Sequence, residues 1–172
     1  MRTLYLLRHA KSSRDDPALA DHDRPLAPRG IKATPVVADH LRDAGVVPDV
    51  VLCSSARRTR QTLDLLGDAV PPDCDVRIED GLYQASAQTL LERIHALPDG
   101  APRAMLIGHN PALERLALLL AASGDHLDRM ASKFPTAAVA TLEAAVDSWS
   151  DLTPGSARLT AFVRPDDLDA PR

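Results

Sequence analysis

Short apolar runs alternate along this chain with longer segments whose apolar residues recur every three or four positions. Because a buried strand needs only a short apolar run, strands are predicted at 3–7, 49–53, 76–78, 104–107, 137–142 and 157–163. The helical spacing predicts helices at 28–44, 56–69, 87–97 and 111–122. Pro35, inside the first helix, predicts a kink or a break there. Pro111 suits the first position of the last helix, with Asn110 as its cap.

The order of these elements indicates the fold class. Strands that alternate with helices form βαβ units, in which helices cover both faces of a mainly parallel sheet. No long helix separates the last two strands, which predicts an antiparallel strand at one edge. We therefore expect an α/β fold, a three-layer α/β/α sandwich, in a single domain that spans residues 1–172.

The composition argues against several classes of function. Aromatic residues make up 3% of the chain, too few for a platform on which nucleic-acid bases stack. The net charge of −4 makes the chain a poor general partner for nucleic acid or for an anionic membrane. No signal peptide is recognisable, and the longest strongly apolar run, at 116–122, is too short to span a bilayer. We expect a cytoplasmic monomer without a nucleic-acid or membrane partner.

Basic residues are concentrated in two stretches of this acidic chain. Residues 1–14 contain no acidic residue and four basic ones, Arg2, Arg8, Lys11 and Arg14. Residues 54–62 contain no acidic residue and three basic ones, Arg57, Arg58 and Arg60. Two interpretations remain open from charge alone: a local site for an anion, or two solvated faces.

Polar residues directly follow three of the predicted strands, where parallel sheets bind their ligands. The first strand runs into Arg8 and His9, and the second runs into Ser54 and the second basic stretch. The strand at 104–107 runs into Gly108 and His109. One histidine in such a place is more often structural, but His, Arg and His at one edge together favour a functional site.

Histidine and arginine together suit a phosphate site. Guanidinium groups bind phosphate oxygens through paired hydrogen bonds, and a neutral imidazole nitrogen is a nucleophile toward phosphorus. We expect the arginines around His9 to lower its pKa, which keeps the imidazole unprotonated near neutral pH.

The residues at these strand ends resemble the motifs of one family, the histidine phosphatase superfamily, which is also called phosphoglycerate-mutase-like. Arg8-His9-Ala10 resembles its Arg-His-Gly signature, and SSARRTRQT at 54–62 is similar to its Ser-Pro-x-x-Arg-Ala-x-Gln-Thr motif. A third motif, around the second histidine, is similar to the stretch 108–111. Further similarity to the small SixA-like phosphohistidine phosphatases comes from Asp23-Arg24-Pro25-Leu26, Leu82-Tyr83 and Lys133-Phe134-Pro135-Thr136. The resemblance extends from residue 3 to residue 163.

The resemblance implies a role for four residues. His9 is the nucleophile and becomes phosphorylated, Arg8 and Arg58 hold the phosphoryl oxygens, and His109 stabilises the transferring group as a further donor. These four form the expected catalytic set, and Arg8, Arg58 and His109 are also expected to bind the substrate.

Three other residues, Arg57, Arg24 and Ser12, are weighed between a role at the site and a structural or surface role. Arg58 rather than Arg57 matches the motif because it stands three positions before Gln61, so Arg57 is expected at a solvated rim. Arg24 is a further candidate for phosphate binding, with ordering of its loop through a salt bridge to a nearby Asp as the alternative. Ser12 is a candidate to line the pocket, with a loop position that has no role at the site as its alternative.

The chain departs from the family pattern at two positions. Ala10 stands where the signature has Gly, which implies that the backbone there tolerates a Cβ. Gln84 stands where larger relatives place a glutamate, and an amide is not a useful proton donor. Either Glu79 or Asp80 substitutes as the acid, or the leaving group needs little help, as in the labile bond of a phosphohistidine.

The resemblance therefore implies a phosphatase that acts through phospho-His9, without cofactor or metal, on a phosphorylated protein such as one that carries phosphohistidine. The segment from Leu82 to His109 has room for one helix and one strand but not for a lid, which suits an open site. Two alternatives stay open. One is a phosphatase of a small phosphorylated metabolite. The other is a phosphate-binding module without turnover, which stays open because Gln84 stands where an acid is expected. A metal-dependent hydrolase is disfavoured because the His-x-His and His-Glu-x-x-His spacings are absent.

Overall fold

Residues 1–168, which a computed structural model describes, contain one seven-stranded sheet and five α-helices. The last four residues of the expected 1–172 domain lie outside the described part. The elements follow the chain in the order β1 (Arg2–Arg8), α1 (Pro28–Asp43), β2 (Val50–Ser54), α2 (Arg57–Leu66), β3 (Asp75–Glu79), α3 (Ala87–His95), β4 (Arg103–Gly108), α4 (Ala112–Leu120), β5 (Ala121–Ser123), α5 (Leu127–Ser132), β6 (Val139–Ala144) and β7 (Ala157–Val163).

The strands lie in the order β3-β2-β4-β1-β6-β7-β5. The first four pair in parallel because a helix crosses over between each of them and the next along the chain. β6 pairs antiparallel with β1, and β7 pairs antiparallel with β6. The expected α/β fold, with a mainly parallel sheet and an antiparallel edge, is confirmed. The antiparallel part has two strands, and the short β5 lies outside them, parallel to β7.

Helices cover both faces of the sheet, and each strand divides its side chains between the two faces. In β1, Leu4 and Leu6 pack in an apolar cluster with residues of α3 and α4, whereas Tyr5 and Leu7 pack in a second cluster with residues of α1 and α2. Successive side chains of a strand point to opposite faces, so one continuous apolar run serves both clusters. The three layers of the sandwich follow from this division.

The structure differs from the predicted elements at three places. α1 continues through Pro35 without a break; Pro35 and Ile31, whose carbonyl loses its helical partner, are both exposed, so water can replace that bond. α4 begins one residue later than predicted, but Asn110 still acts as a cap, since its side-chain oxygen accepts from the Glu114 N–H at 3.3 Å. α4 also ends at Leu120, and the last two residues of the predicted helix belong to β5; β5 and α5 were not predicted, because elements of three and six residues are too short to show a period.

The register of the central strands brings three strand ends to one edge. In the sheet β4 lies between β2 and β1, and all three run in the same direction. Arg8 pairs with Gly108, and Cys53 pairs with Ile107, so the three strands end at the same level. His9, Ser54 and His109 therefore meet where the sequence predicted a site.

Candidate active site

His9 follows β1 directly and its backbone is fixed on both sides. Its N–H donates to the Gly108 carbonyl at 3.0 Å, and its own carbonyl accepts from the Ala137 N–H at 3.1 Å. The next residue, Ala10, donates its N–H to the hydroxyl of Thr62 at 3.0 Å, and its side chain is fully buried. The Cβ that replaces the family's glycine therefore packs in the core, and the backbone accommodates it.

The loop after His9 is held against the start of α1 by a close approach that the sequence analysis did not anticipate. The Lys11 carbonyl accepts from the Ala27 N–H at 2.9 Å, and a Cβ added to Gly30 would stand 2.3 Å from that same oxygen. Only glycine fits at this contact, which fixes the backbone that follows the histidine.

The imidazole of His9 is buried and carries its hydrogen on a defined nitrogen. Nδ1 lies 2.7 Å from the Ala10 carbonyl, which can only accept, so Nδ1 donates and Nε2 keeps its lone pair. Burial, together with the charges of His109, Arg58 and Arg8, lowers the pKa of His9 to about 3. The ring is therefore neutral near pH 7, and Nε2 is available as a nucleophile.

His109 lies beside His9, with the two ring centroids 5.3 Å apart. Its Nε2 is 2.8 Å from the hydroxyl of Ser54, which also accepts from the Ala56 N–H, so the hydroxyl hydrogen is available to His109. Burial and the charge of Arg58 lower the pKa of His109 to about 4. When Ser54 donates, the neutral ring carries its hydrogen on Nδ1, a buried nitrogen without a partner among residues 1–168.

Arg58 is buried on α2 and binds Asp21 through both terminal nitrogens. Nη1 donates to the Asp21 carbonyl at 2.8 Å, and Nη2 donates to its carboxylate at 3.0 Å. A guanidinium has five N–H donors, so three remain for the oxygens of a phosphoryl group. Arg57 is exposed and makes one long bond, 3.4 Å, to the Asp23 carbonyl. Burial thus separates Arg58, at the site, from Arg57, at the rim.

Asp21 and Tyr83 complete this network, and the sequence analysis assigned neither of them a role. The Tyr83 hydroxyl donates to the Asp21 carboxylate at 2.5 Å, and its ring stacks edge-on with His109 at 5.6 Å between centroids. Hydrogen bonds from Tyr83, Arg24 and Arg58 hold the pKa of Asp21 well below its usual range. Asp21 is therefore an ionised acceptor that orients Arg58. Its pairing with Arg24 at i,i+3 was readable in the sequence, but its pairing with Tyr83 was not.

Arg8 extends from the end of β1 away from the Asp21 network. Its Nη1 donates to the Phe134 carbonyl at 3.0 Å, and its Nε is buried without a partner among residues 1–168. The positive charge of Arg8 nonetheless contributes to lowering the pKa of both His9 and His109. Arg8 is thus close enough to act on the site electrostatically, with a donor unused.

Arg24 and Ser12 are brought together with each other, and Arg24 also binds Asp21. Arg24 donates to the Asp21 carboxylate at 2.9 Å, to the Ser13 carbonyl at 3.0 Å and to the Ser12 hydroxyl at 2.5 Å. These contacts favour the alternative in which Arg24 orders its loop through a salt bridge. Phosphate binding by Arg24 or Ser12 stays a prediction.

A pocket of about 420 Å³ opens at this edge, with Arg58, Tyr83, Gln84 and His109 in its lining. Gln84 is exposed and has φ +59°, a left-handed conformation that non-glycine residues rarely adopt. Neither alternative acid lies in this lining. Glu79 is held by two hydrogen bonds from Arg93, at 2.7 and 2.9 Å, and Asp80 is exposed.

Within residues 1–168, no three His, Cys, Asp or Glu side chains come close enough together to hold a metal ion. None of the helices in that range has the length and hydropathy that a membrane span requires.

Comparison with known proteins connects this geometry to a family. The model of the histidine phosphatase superfamily (branch 1) matches residues 4–90. An uncharacterized protein of Mycobacterium tuberculosis (strain H37Rv) is 40% identical over 163 residues, which cover 92% of this chain and 99% of that protein.

Two solved structures are also similar to this chain over nearly their whole length. The candidate phosphohistidine phosphatase SixA from Nakamurella multipartitia has a TM-score of 0.81 at 32% identity, with 95% of this chain and 96% of that chain covered. The corresponding protein from Agrobacterium tumefaciens has a TM-score of 0.79 at 31% identity, with 95% and 98% covered.

Proposed function

Since the chain belongs to the histidine phosphatase superfamily, in its SixA-like branch, we propose that it hydrolyses phosphohistidine carried by a protein, through phospho-His9. Phosphatase activity follows from membership of the family. The substrate class comes from the names of the two solved relatives and from the chemistry of the pocket. One observation carries the proposal. The neutral imidazole of His9 lies near a pocket whose carboxylate, Asp21, is kept ionised and therefore cannot donate a proton.

The reaction proceeds by two displacements at phosphorus. In the first, Nε2 of His9 attacks, the bond from phosphorus to the leaving nitrogen of the substrate breaks, and its electron pair stays on that nitrogen. In the second, water attacks phospho-His9 and loses a proton to the solvent, the phosphorus–Nε2 bond breaks with its electron pair returning to Nε2, and phosphate leaves. The hydrogen bond from Nδ1 to the Ala10 carbonyl stabilises the positive charge that the ring develops in the first step.

The other three residues stabilise the phosphoryl oxygens as charge builds up on them. Arg58 has three N–H groups to offer, and Asp21 holds it in one orientation. His109 stands beside His9, and Arg8 supplies positive charge close to both rings. Donors that are already oriented in a buried site do not have to reorganise during the reaction, which is the main source of electrostatic catalysis.

The proton for the leaving group is the feature that favours phosphohistidine. Asp21, the one carboxylate that lines the pocket within residues 1–168, is held ionised by Tyr83 and two arginines. An alkyl phosphate would leave as a basic alkoxide and needs such an acid. The leaving imidazole of a phosphohistidine takes a proton from water on its other nitrogen before the bond breaks, so it needs none from the enzyme.

The decisive experiment combines a substrate comparison with trapping of the intermediate. We expect a phosphohistidine protein to turn over far faster than a panel of sugar phosphates, and rapid quenching to trap an acid-labile, base-stable phosphoenzyme. His9→Ala removes the phosphoenzyme and the turnover, whereas the control His126→Ala, away from the site, keeps both. Unchanged turnover in His9→Ala contradicts the mechanism. A preference for a sugar phosphate contradicts the substrate and favours the small-metabolite alternative.

A further inference from the structure

A second recess, of about 470 Å³, adjoins Arg8 and shares no lining residue with the pocket that His109 lines. We call it the basic recess, because five basic residues and one acidic residue contribute to its lining: Arg8, Lys11, Arg29, Lys133, Arg164 and Asp166. Such a concentration stands out in a chain whose net charge is −4.

Most of the positive charge in the basic recess is not neutralised by neighbouring residues. Arg164 is bound by Asp167 through a pair of hydrogen bonds. For Lys11, Arg29 and Lys133, no carboxylate of residues 1–168 lies within ion-pair distance. All three are exposed, and they come from the loop after β1, the first turn of α1 and the loop after α5. Three separate segments thus bring three unpaired cations to one concave surface.

The basic recess lies next to the backbone of the nucleophile. The Ala137 N–H that donates to the His9 carbonyl also lies 3.0 Å from the Arg8 carbonyl, and Thr136 and Ala137 both line the recess. Lys11 stands two residues after His9. A protein whose phosphohistidine reaches His9 is therefore large enough to cover the basic recess as well, whereas a small phosphorylated molecule is not.

We propose that the basic recess binds acidic side chains on the surface of the phosphohistidine protein, next to the phosphorylated residue. This inference rests on the proposed function and adds a substrate feature to it. A second phosphate is bound best by buried, rigid arginines, as at Arg58. Two lysines and an arginine have long, flexible, exposed side chains. Such side chains suit carboxylates that are spread over a protein surface and have no single fixed arrangement.

Charges of this kind act on the encounter with the substrate more than on the chemical step. We expect Lys11→Ala/Lys133→Ala to lower kcat/KM for a phosphohistidine protein with an acidic surface by about tenfold at low ionic strength, with kcat unchanged. The deficit shrinks in high salt because the charges are screened. Hydrolysis of free phosphohistidine by the same variant stays within about twofold of the wild type.

The matched control is Lys32→Ala/Arg158→Ala, which removes the same charge from two exposed positions outside the basic recess. It should leave kcat/KM for the phosphoprotein close to that of the wild type. An equal loss in this control means that net charge alone is responsible, and it overturns the proposal. An equal loss on free phosphohistidine also overturns it, because the recess would then act on the phosphoryl group.

A binding measurement separates this inference from the proposed function. A fluorescent twelve-residue peptide rich in Glu and Asp is titrated with each protein at low salt, which needs no turnover. We expect the recess variant to bind it about tenfold more weakly than the wild type and the control variant. If the enzyme proves inactive on phosphohistidine, the proposed function fails while this titration still decides the basic recess. Equal binding by all three proteins overturns the proposal that the basic recess binds acidic side chains.

Discussion

The pocket at His109 and the basic recess differ in how their charges are compensated. In the pocket, the Arg58 guanidinium is buried and held by Asp21, and two neutral histidines stand beside it. In the basic recess, Lys11, Arg29 and Lys133 are exposed, without a carboxylate partner in the described residues. One surface is preorganised and the other is adaptable, although both are basic and each has a lining residue next to His9.

This difference separates two tasks that a phosphate enzyme must perform. Stabilising a transition state requires donors at fixed distances, so each buried cation needs a partner that orients it. Attracting a large anionic substrate requires only unpaired charge near the site, and flexible side chains suffice. Counting arginines and lysines in the sequence does not distinguish the two tasks, but burial and pairing do.

The largest expected effect comes from removing a preorganised cation. Arg58→Ala should lower kcat/KM for an aryl phosphate by about a hundredfold or more, because it removes an oriented donor from the transferring group. The neighbouring Arg57→Ala should change it by less than about threefold, since that side chain is exposed. Steady-state kinetics measure both, and circular dichroism verifies that each variant is folded. The reverse ranking would place Arg57 at the phosphate and make the motif assignment wrong by one residue.

A smaller effect is expected from adding the acid that the pocket lacks. Gln84→Glu should raise kcat/KM for alkyl phosphates on the order of tenfold, the modest end of general acid catalysis. The gain is limited because Arg58 and Arg115 line the same pocket and favour the ionised carboxylate. Aryl phosphates, which leave without protonation, should change little, and the pH profile for alkyl phosphates should acquire a new limb. Equal changes on both substrate types would show that residue 84 does not face the leaving group.

A further expected effect is on stability, because low pH favours protonation of two histidines that stay neutral in the folded chain. His9 and His109 have pKa values of about 3 and about 4 when folded, against 6.5 ordinarily. Below pH 6.5 the unfolded chain takes up protons that the folded chain refuses, so stability falls as the pH falls. Each histidine contributes a slope of up to about 1.4 kcal/mol per pH unit.

Chemical denaturation between pH 7 and 4.5 measures this slope. The free energy of unfolding of the variant His109→Asn should fall less steeply than that of the wild type over that range. The variant has only one histidine, His9, that binds a proton in the unfolded chain but not in the folded chain. Identical slopes in the two proteins would mean that His109 titrates alike in the folded and unfolded chains. The slope is informative even if the variant is less stable at pH 7, because it compares each protein with itself.

Much of the fold and part of the site could be predicted from local pattern. The strand that ends at Arg8 and the helix that contains Arg58 follow from periodicity, and the spacing from Arg58 to Gln61 separated two adjacent arginines correctly by burial. The family and the phosphatase activity, inferred from three motifs, are confirmed by the comparisons. The roles of His9, Arg8, Arg58 and His109 in turnover stay predictions, as do those of Arg24 and Ser12.

The sequence by itself determined which segments become strands, because burial on both faces of a sheet requires apolar runs that are visible one segment at a time. Only the tertiary structure decided which polar and charged groups of distant segments come together. Tyr83 reaches Asp21 across 62 residues of chain, and the basic recess draws its cations from segments as far apart as Lys11 and Lys133. A contact between distant loops leaves no period in either segment. Its partners become readable only when the sheet has brought both loops to the same edge.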